Sequence, residues 1–506
     1  MRSLLRRPVV KSLLAATLGL TLVGCAQSTV AVPKSELTLK PAPLKEIRGV
    51  WITNVDSDVL TSRAKIAEAM DALSAAGINV VYPVVWNKAQ TLYPSKVAAS
   101  VTGVEMDPLE AYKGRDPLQE VIIEAHARGM EVVPWFEFGF ATSFNLQGGP
   151  IIKAKPEWAA IDPEGKLVNK NGFDWANALD PEVQEFMAQL VLEVAQNYDV
   201  DGIQGDDRMP AMPTLGGYDA KTIARYKAEF GVEPPKDIKD KKWVQWRADI
   251  LTEWLASLRT RVKAIDPDLT VSMSPSYYDW ALYEYLQDSY TWTNRGLVDS
   301  IHPQAYRYDL AAYKKIVDDL VTNQFTKEQL PLLAPGLLVK SGKYVIPEDY
   351  FLAAIAYNRE KGINGEVHFF YTGLRENDSK LLNLLKSGPY AQPASLPYRE
   401  TLRRPGMVEL APLPGEGSTT PFGIKAPIDG VFDIYGKAAP GAKAPVSFDL
   451  RHSNSKTVTL QPTDATFADW TKIATEDLDR GESIIVDTTG SAQVMMLINH
   501  KATLAD

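Results

Sequence analysis

The chain has 506 residues, more than one ordinary domain needs, so a large domain with a smaller companion is the expectation. Hydrophobic residues at 45% beside charged residues at 23% belong to a chain with a sizeable core, which excludes the disordered and fibrous classes. The net charge is −9, and the first 24 residues hold Arg2, Arg6, Arg7 and Lys11 but no acid, so the remainder stands at −13; with no basic stripe, nucleic acid and anionic membrane surfaces are poor partners and a neutral substrate fits better.

Residues 1–24 read as a signal sequence: a basic start, then an apolar run from about Leu13 to Gly24 that is too short to span a membrane. The run ends Leu22-Val23-Gly24-Cys25, which resembles a bacterial lipobox, with Cys25 lipidated and made the new N-terminus. The alternative is an ordinary secretory peptide with an incidental cysteine. Acylation of this single cysteine leaves no thiol for a disulfide. By the sorting pattern of bacterial lipoproteins, Ala26 after the cysteine implies a lipid-anchored protein of the cell envelope. In a Gram-negative cell that is the outer membrane, facing the periplasm. Residues 25–43, with Ser, Thr, Pro and Lys, read as a tether.

From residue 44 to about 390, apolar or β-branched runs alternate with helical patterns. The strand candidates are RGVWIT (48–53), INVVYPVVW (78–86), MEVVPWFEF (130–138) and DGIQGDD (201–207). LTVSMSPS (269–276), VDSIHPQAY (298–306), LLAPGLL (332–338) and EVHFFYTG (366–373) complete eight. Helices open on Asp116-Pro117 and Asp180-Pro181 and close on Gly77 and Gly129. Eight strands each followed by a helix predict an α/β fold, a (β/α)8 TIM barrel. The alternative, a doubly wound open sheet, lacks its Gly-rich phosphate loop after the first strand. Residues 391–420 are Pro-rich and read as a linker or an arm over the barrel. Residues 421–506, with short alternating runs such as GVFDIYG and AQVMMLIN, read as a small all-β, sandwich-like domain.

In such a barrel the chemistry lies at the carboxyl ends of the strands. Those ends carry Asn54, Asp56 and Asp58, then Glu137, then Asp206 and Asp207, then Tyr277 and Tyr278, Gln304 and Tyr306, and Tyr371. Adjacent carboxylates beside an apolar strand repel each other and lose hydration, so Asp206 and Asp207 do not serve stability there. Their structural alternative is a helix cap or an ion pair with Arg208; Asp56 and Asp58 fit an Asx-turn equally well. Trp51, Trp86, Trp135 and Trp175 accompany the acids, and acids among aromatic platforms suit sugar chemistry. Strand alternation puts Gln204 and Asp206 on one face and His302, Gln304 and Tyr306 on another, which makes the mouth polar. His302 and His368 read as satisfied core residues. No His, Asp and Glu cluster has metal-ligand spacing, so neither a catalytic metal nor a cofactor is expected.

RGVWITNVDSDVL, DGIQGDDR, VSMSPSYY and VDSIHPQAY resemble, in order, the characteristic blocks of glycosyl hydrolase-like family ten. The resemblance spans about 45–385 and implies a (β/α)8 barrel and a glycosidase, with members that hydrolyse peptidoglycan strands stripped of peptides. Members often carry a bulky aromatic where this chain has Gly205, which implies a wider floor beside the acids. Several have Asn at the position of Glu137, which weakens its claim to be indispensable. The adjacent acids also resemble those of hexosaminidases that use the substrate's acetamide as nucleophile. That likeness implies that Asp206 and Asp207 divide two roles, one orienting the acetamide and the other protonating the glycosidic oxygen. Like charges in proximity raise one pKa, which leaves a proton donor beside an anion. A second scheme uses Glu137 as nucleophile or base opposite one Asp. Asn54, Asp56, Gln204, Arg208, Tyr277, Gln304, Tyr306, Tyr371 and the four tryptophans are then the substrate-binding set. The long segment between strands three and four shapes the cleft, with Trp158 and Trp175 as platforms. Two other functions fit the residues: a glycan-binding lipoprotein without activity, and a hydrolase of another extracellular polysaccharide.

Overall fold

The computed structural model describes residues 44–399 continuously and, beyond them, strand segments between 408 and 498. The signal sequence, Cys25 and the tether expected at 25–43 lie outside the described residues, as do 400–407 and 411–421 of the Pro-rich segment and its border.

Eight parallel strands make a ring. They are β1 (Ile47–Ile52), β2 (Val80–Pro83), β3 (Glu131–Val132 and Trp135–Phe136), β4 (Gly202–Gly205), β5 (Thr270–Met273), β6 (Ser300–Ile301), β7 (Gly336–Leu338) and β8 (Gly365–Phe369). Each pairs in parallel with the next, and β8 returns to β1 through Gly365 opposite Ile47. Pro134 divides β3, because it has no N–H to give the ladder; its carbonyl still accepts from Gln204 at 2.8 Å. Parallel pairing forces long crossovers, which the sequence supplies as helices. Among them are α1 (Arg63–Ala75), α2 (Pro117–His126), α3 (Pro181–Asn197) and α4 (Lys241–Ile265). Asp116 and Asp180 cap α2 and α3 by accepting from the Gln119 and Glu182 amides, as their Asp-Pro openings predict.

Polar bonds cross the inside of the ring. Trp51 donates to Gln204 at 2.7 Å, and Gln204 donates to Ser272 at 3.0 Å. The carbonyl of Ala334, 2.9 Å from His302 Nδ1, can only accept, so Nδ1 carries the proton and Nε2 accepts from the Tyr82 hydroxyl at 3.0 Å. Burial pushes this neutral imidazole down to about 4. His302 is thus the satisfied core residue its strand pattern implies. Residues 391–399 run across the amino-terminal end, where Arg48 donates to the Gln392 carbonyl at 2.7 Å and Arg399 grips Glu131 at 2.8 and 2.9 Å.

The last segments form two four-stranded antiparallel sheets, built from β9 (Val408–Leu410), β10 (Phe422–Lys425), β11 (Gly430–Ala438), β12 (Val446–Arg451), β13 (Lys456–Leu460), β14 (Thr471–Leu478), β15 (Ser483–Thr488) and β16 (Ala492–Ile498). One sheet runs β9-β16-β11-β14, the other β10-β15-β12-β13. Phe432 and Ile434 of one share an apolar cluster with Phe448 and Leu450 of the other. The chain is therefore mixed α/β with an all-β C-terminal region.

Candidate active site

Strand β4 is wholly buried and stops at Gly205, so Asp206 leaves the ring at its carboxyl end. The turn closes when the Met209 amide donates to the Asp206 carbonyl at 3.0 Å, and Arg208 folds back over the acids. Its guanidinium meets three carboxylates: Asp206 at 2.9 Å, Asp207 at 3.0 Å and Glu137 at 3.5 Å. The Phe173 ring, 4.6 Å from its centre, backs this cation. The Asp207 contact is an ion pair without hydrogen-bond geometry, so the buried Oδ1 of Asp207 takes no hydrogen bond. An orphaned carboxylate oxygen at a strand end calls for a ligand or a proton.

One arginine paired with three acids, with Lys88 on the cleft wall pulling on Glu137 alone, leaves surplus negative charge, and a half-closed site relieves it by keeping protons. Asp206 is 2% exposed and also accepts from Gln304 at 2.8 Å. Burial first, and the charge of Asp207 next, hold its carboxyl well above the usual range. Glu137 accepts from Asn87 at 2.6 Å, and Asn87 also donates to Asn54 at 2.9 Å. Burial pushes Glu137 up to about 7 against the pull of Arg208, with Asp207 adding to the rise. Tyr306 stacks on Phe369 at 5.0 Å, and burial followed by the nearby acids keeps its phenol protonated.

Glu137 opens onto a cleft of about 360 Å³ whose walls include Asp56, Asn87, Phe138, Phe144, Phe173 and Phe369. A larger groove of about 780 Å³ lies between α3 and α4. Its acids and bases are largely paired with each other, as Asp180 is with Lys221 and Glu185 with Arg261. Volume does not decide here; the smaller cleft borders the surplus carboxylates.

Several expected positions need correction. Trp51, Trp86, Trp135 and Trp175 are 0–2% exposed, so their faces are packing surfaces, closed to a sugar ring. Gln204 is fully buried and serves Trp51 and Ser272. Trp158 is buried against Phe186, and Tyr371 is buried at the start of a helix. The floor beside Gly205 is not wider: a Cβ there would meet the Met209 carbonyl oxygen at 2.4 Å and the Met273 sulfur at 2.5 Å. Asp58 pairs with Lys65 at 2.6 Å on the surface, away from the other acids. Asn54, Gln304, Tyr306 and Arg208 do gather with the three acids, Asp56 lies on the cleft wall, and Tyr277 stacks on Trp280. Asn87, Phe144 and Phe173 were not anticipated. The two Phe residues arrive on paired antiparallel strands, Ala141–Phe144 and Phe173–Trp175, within the segment between β3 and α3, pinned by Asp174, which accepts from Ser143 at 2.5 Å and from the Leu146 and Gly148 amides. The hint in the sequence was a Gly- and Asn-containing turn beside each, NLQGG after Phe144 and NKNG before Phe173.

Clustered acids of unequal proton affinity beside open aromatic faces define a glycosidase site. The chain belongs to the family described as Glycosyl hydrolase-like 10, whose model matches residues 46–350. It is accordingly a glycosidase, a hydrolase acting on glycans. It is 27% identical over 371 residues to Glycosyl hydrolase DigH of Escherichia coli, covering 61% of this chain and 78% of that one. To Glycosyl hydrolase YngK of Bacillus subtilis it is 24% identical over 395 residues, covering 70% and 73%. The glycoside hydrolase domain of PgaB (BpsB) from Bordetella bronchiseptica shares its fold, with a TM-score of 0.50 at 14% identity over 68% of this chain and 99% of that domain.

Proposed function

We propose that this chain is a (β/α)8-barrel glycosidase of the cell envelope, anchored through Cys25, that cuts peptidoglycan glycan strands stripped of peptides. The ring of parallel pairs supports the barrel reading, and the two packed β-sheets support a sandwich-like accessory domain over residues 421–506. The observation that carries the chemistry is the convergence of Asp206, Asp207 and Glu137 on Arg208 at the edge of an open cleft.

The roles follow from access. Asp206 lies behind the surface, where burial and then the charge of Asp207 hold its carboxyl well above the usual range, so it stores a proton beside its more accessible neighbour. Asp207, with 24% of its side chain exposed, is the member that reaches substrate and protonates the glycosidic oxygen. Glu137, on the cleft wall, stabilises or attacks the oxocarbenium-like centre once ionised. Peptidoglycan sugars also carry an acetamide that can attack from within. Both routes retain configuration at the anomeric carbon.

The test is digestion of peptide-free and of intact peptidoglycan by the purified chain, with products identified by mass spectrometry and anomers by proton NMR. Saccharides of retained configuration from the peptide-free strands alone are expected. Products only from another polysaccharide would replace the substrate, and binding without products from any glycan would overturn the mechanism. Palmitate labelling that survives Cys25→Ser would overturn the anchor.

A further inference from the structure

Ten of the eleven tryptophans are buried, and Trp280 alone is exposed, at 39%. Its ring stacks on Tyr277, 5.7 Å away and only 15° from parallel, in the loop that follows β5. The Arg307 guanidinium lies 5.0 Å from the Tyr277 ring, and Tyr285 meets Trp280 at 5.6 Å. Tyr285 in turn accepts from Asn171 at 3.2 Å, and its carbonyl accepts from the Met212 amide at 3.0 Å, on the turn just past the acids. Gln287, two residues further on, donates to the Asp206 carbonyl at 3.1 Å. The aromatic pair is therefore tied into the loops that carry the carboxylates, and it keeps a large apolar surface in water with charged and amide groups around it. An isolated exposed Trp needs no account, but a stacked and braced pair beside a reaction centre is a preorganised flat surface.

We propose that Trp280 and Tyr277 form a sugar-ring platform on the Asp207 side of the cleft, binding a pyranose unit of the glycan beyond the one being cut. The proposal rests on the glycosidase reading above and deepens it. A pyranose presents an apolar C–H face to an aromatic ring; with Tyr277 covered by Trp280 and by the Arg307 guanidinium, the face offered to the sugar is that of Trp280, with Tyr277 as its backing. The platform makes the enzyme prefer strands of several sugars over the shortest cleavable fragment.

The test uses the purified chain with length-fractionated peptide-free glycan strands, and with chitohexaose and cellohexaose as soluble probes. Trp280→Ala should raise KM about three- to tenfold, more for long strands than for short ones, with kcat changed far less; Trp280→Phe should restore most of the loss. A KM that rises equally for all lengths, or not at all, overturns the platform. A second readout needs no turnover: N-bromosuccinimide oxidation of Trp280, followed by mass spectrometry, should be slowed by at least one of the three glycans. If none of them protects Trp280, the platform is wrong whether or not the strands are cut. If cellohexaose protects and peptide-free strands are untouched, the platform stands and the substrate assignment falls.

Discussion

The two ends of the strand ring both bury acids, and they treat them differently. At the amino-terminal end each acid meets a dedicated donor. Glu46 lies between Arg48 and Arg359, Glu131 accepts from both arms of Arg399, Asp201 accepts from His126 at 2.8 Å, and Glu366 accepts from Asn358 at 2.9 Å and from the Tyr390 hydroxyl. At the carboxyl-terminal end three carboxylates divide one arginine. Matched charges fix a fold, because removing either partner strands the other in low dielectric. An unmatched set stores proton affinity, and that is what acid–base chemistry uses. The same residue types thus hold the structure at one end and equip it to react at the other.

The comparison breaks most directly at the rim. Asp207→Asn or Glu137→Gln should each lower kcat on peptide-free glycan by about 10²–10⁴-fold, the range of lost acid–base catalysis. Tm should hold or rise, since each change relieves surplus negative charge. A fall of several degrees with turnover intact would make the rim a structural site like its opposite. At the other end, Arg399→Ala should destabilise by roughly 3–5 kcal/mol by leaving Glu131 buried without its arginine. Measured by urea unfolding, that loss should come with kcat unchanged well below Tm. Loss of turnover at matched foldedness would mean that the two ends are coupled.

The pH dependence sharpens the contrast. Glu137 titrates at about 7 in the folded chain against an ordinary value near 4.5. Between these values the native state binds more protons than the unfolded one, so this group's contribution to stability falls as pH rises from about 5 to 7 and is level beyond. Activity should move the other way there: kcat/KM rises toward pH 7 as Glu137 ionises and declines when Asp206 loses its proton. In Glu137→Gln the acid limb should vanish and the alkaline limb remain. An unchanged acid limb would assign that titration to another group.

Much of this was legible in the sequence because it rests on local rules. Eight βα alternations, Asp-Pro helix openings and two acids ending an apolar strand need no long-range information. The grouping of Asp206, Asp207, Glu137, Arg208 and Gln304 followed from strand order and the carboxyl-end rule. What the sequence withheld was burial. Trp51 and Trp135 became core because a ring of short strands has a narrow interior that large rings fill, whereas Trp86 and Trp175 are covered from outside it by Phe186 and Tyr285. Phe173 and Trp280 reach the site on loops whose course depends on distant pins, Asp174 in one case and the Tyr277 stack in the other.

Trp175 carries the smallest expected effect and separates the two kinds of tryptophan. It is 1% exposed, and its ring lies 6.0 Å from Tyr285. Its indole N–H has no hydrogen-bond partner among the described residues, so removing that donor strands nothing. Trp175→Phe therefore trades ring volume for a small cavity, about 1–2 kcal/mol of stability, with KM for glycan strands expected within about twofold of wild type. Trp280→Ala should show the reverse profile, little change in Tm and a length-dependent KM. Steady-state kinetics and thermal scans on the two variants together read both columns. A KM rise in Trp175→Phe as large as in Trp280→Ala would mean that substrate opens the paired strands around it and reaches the buried ring, and the sharp division between packing and binding aromatics would then fail.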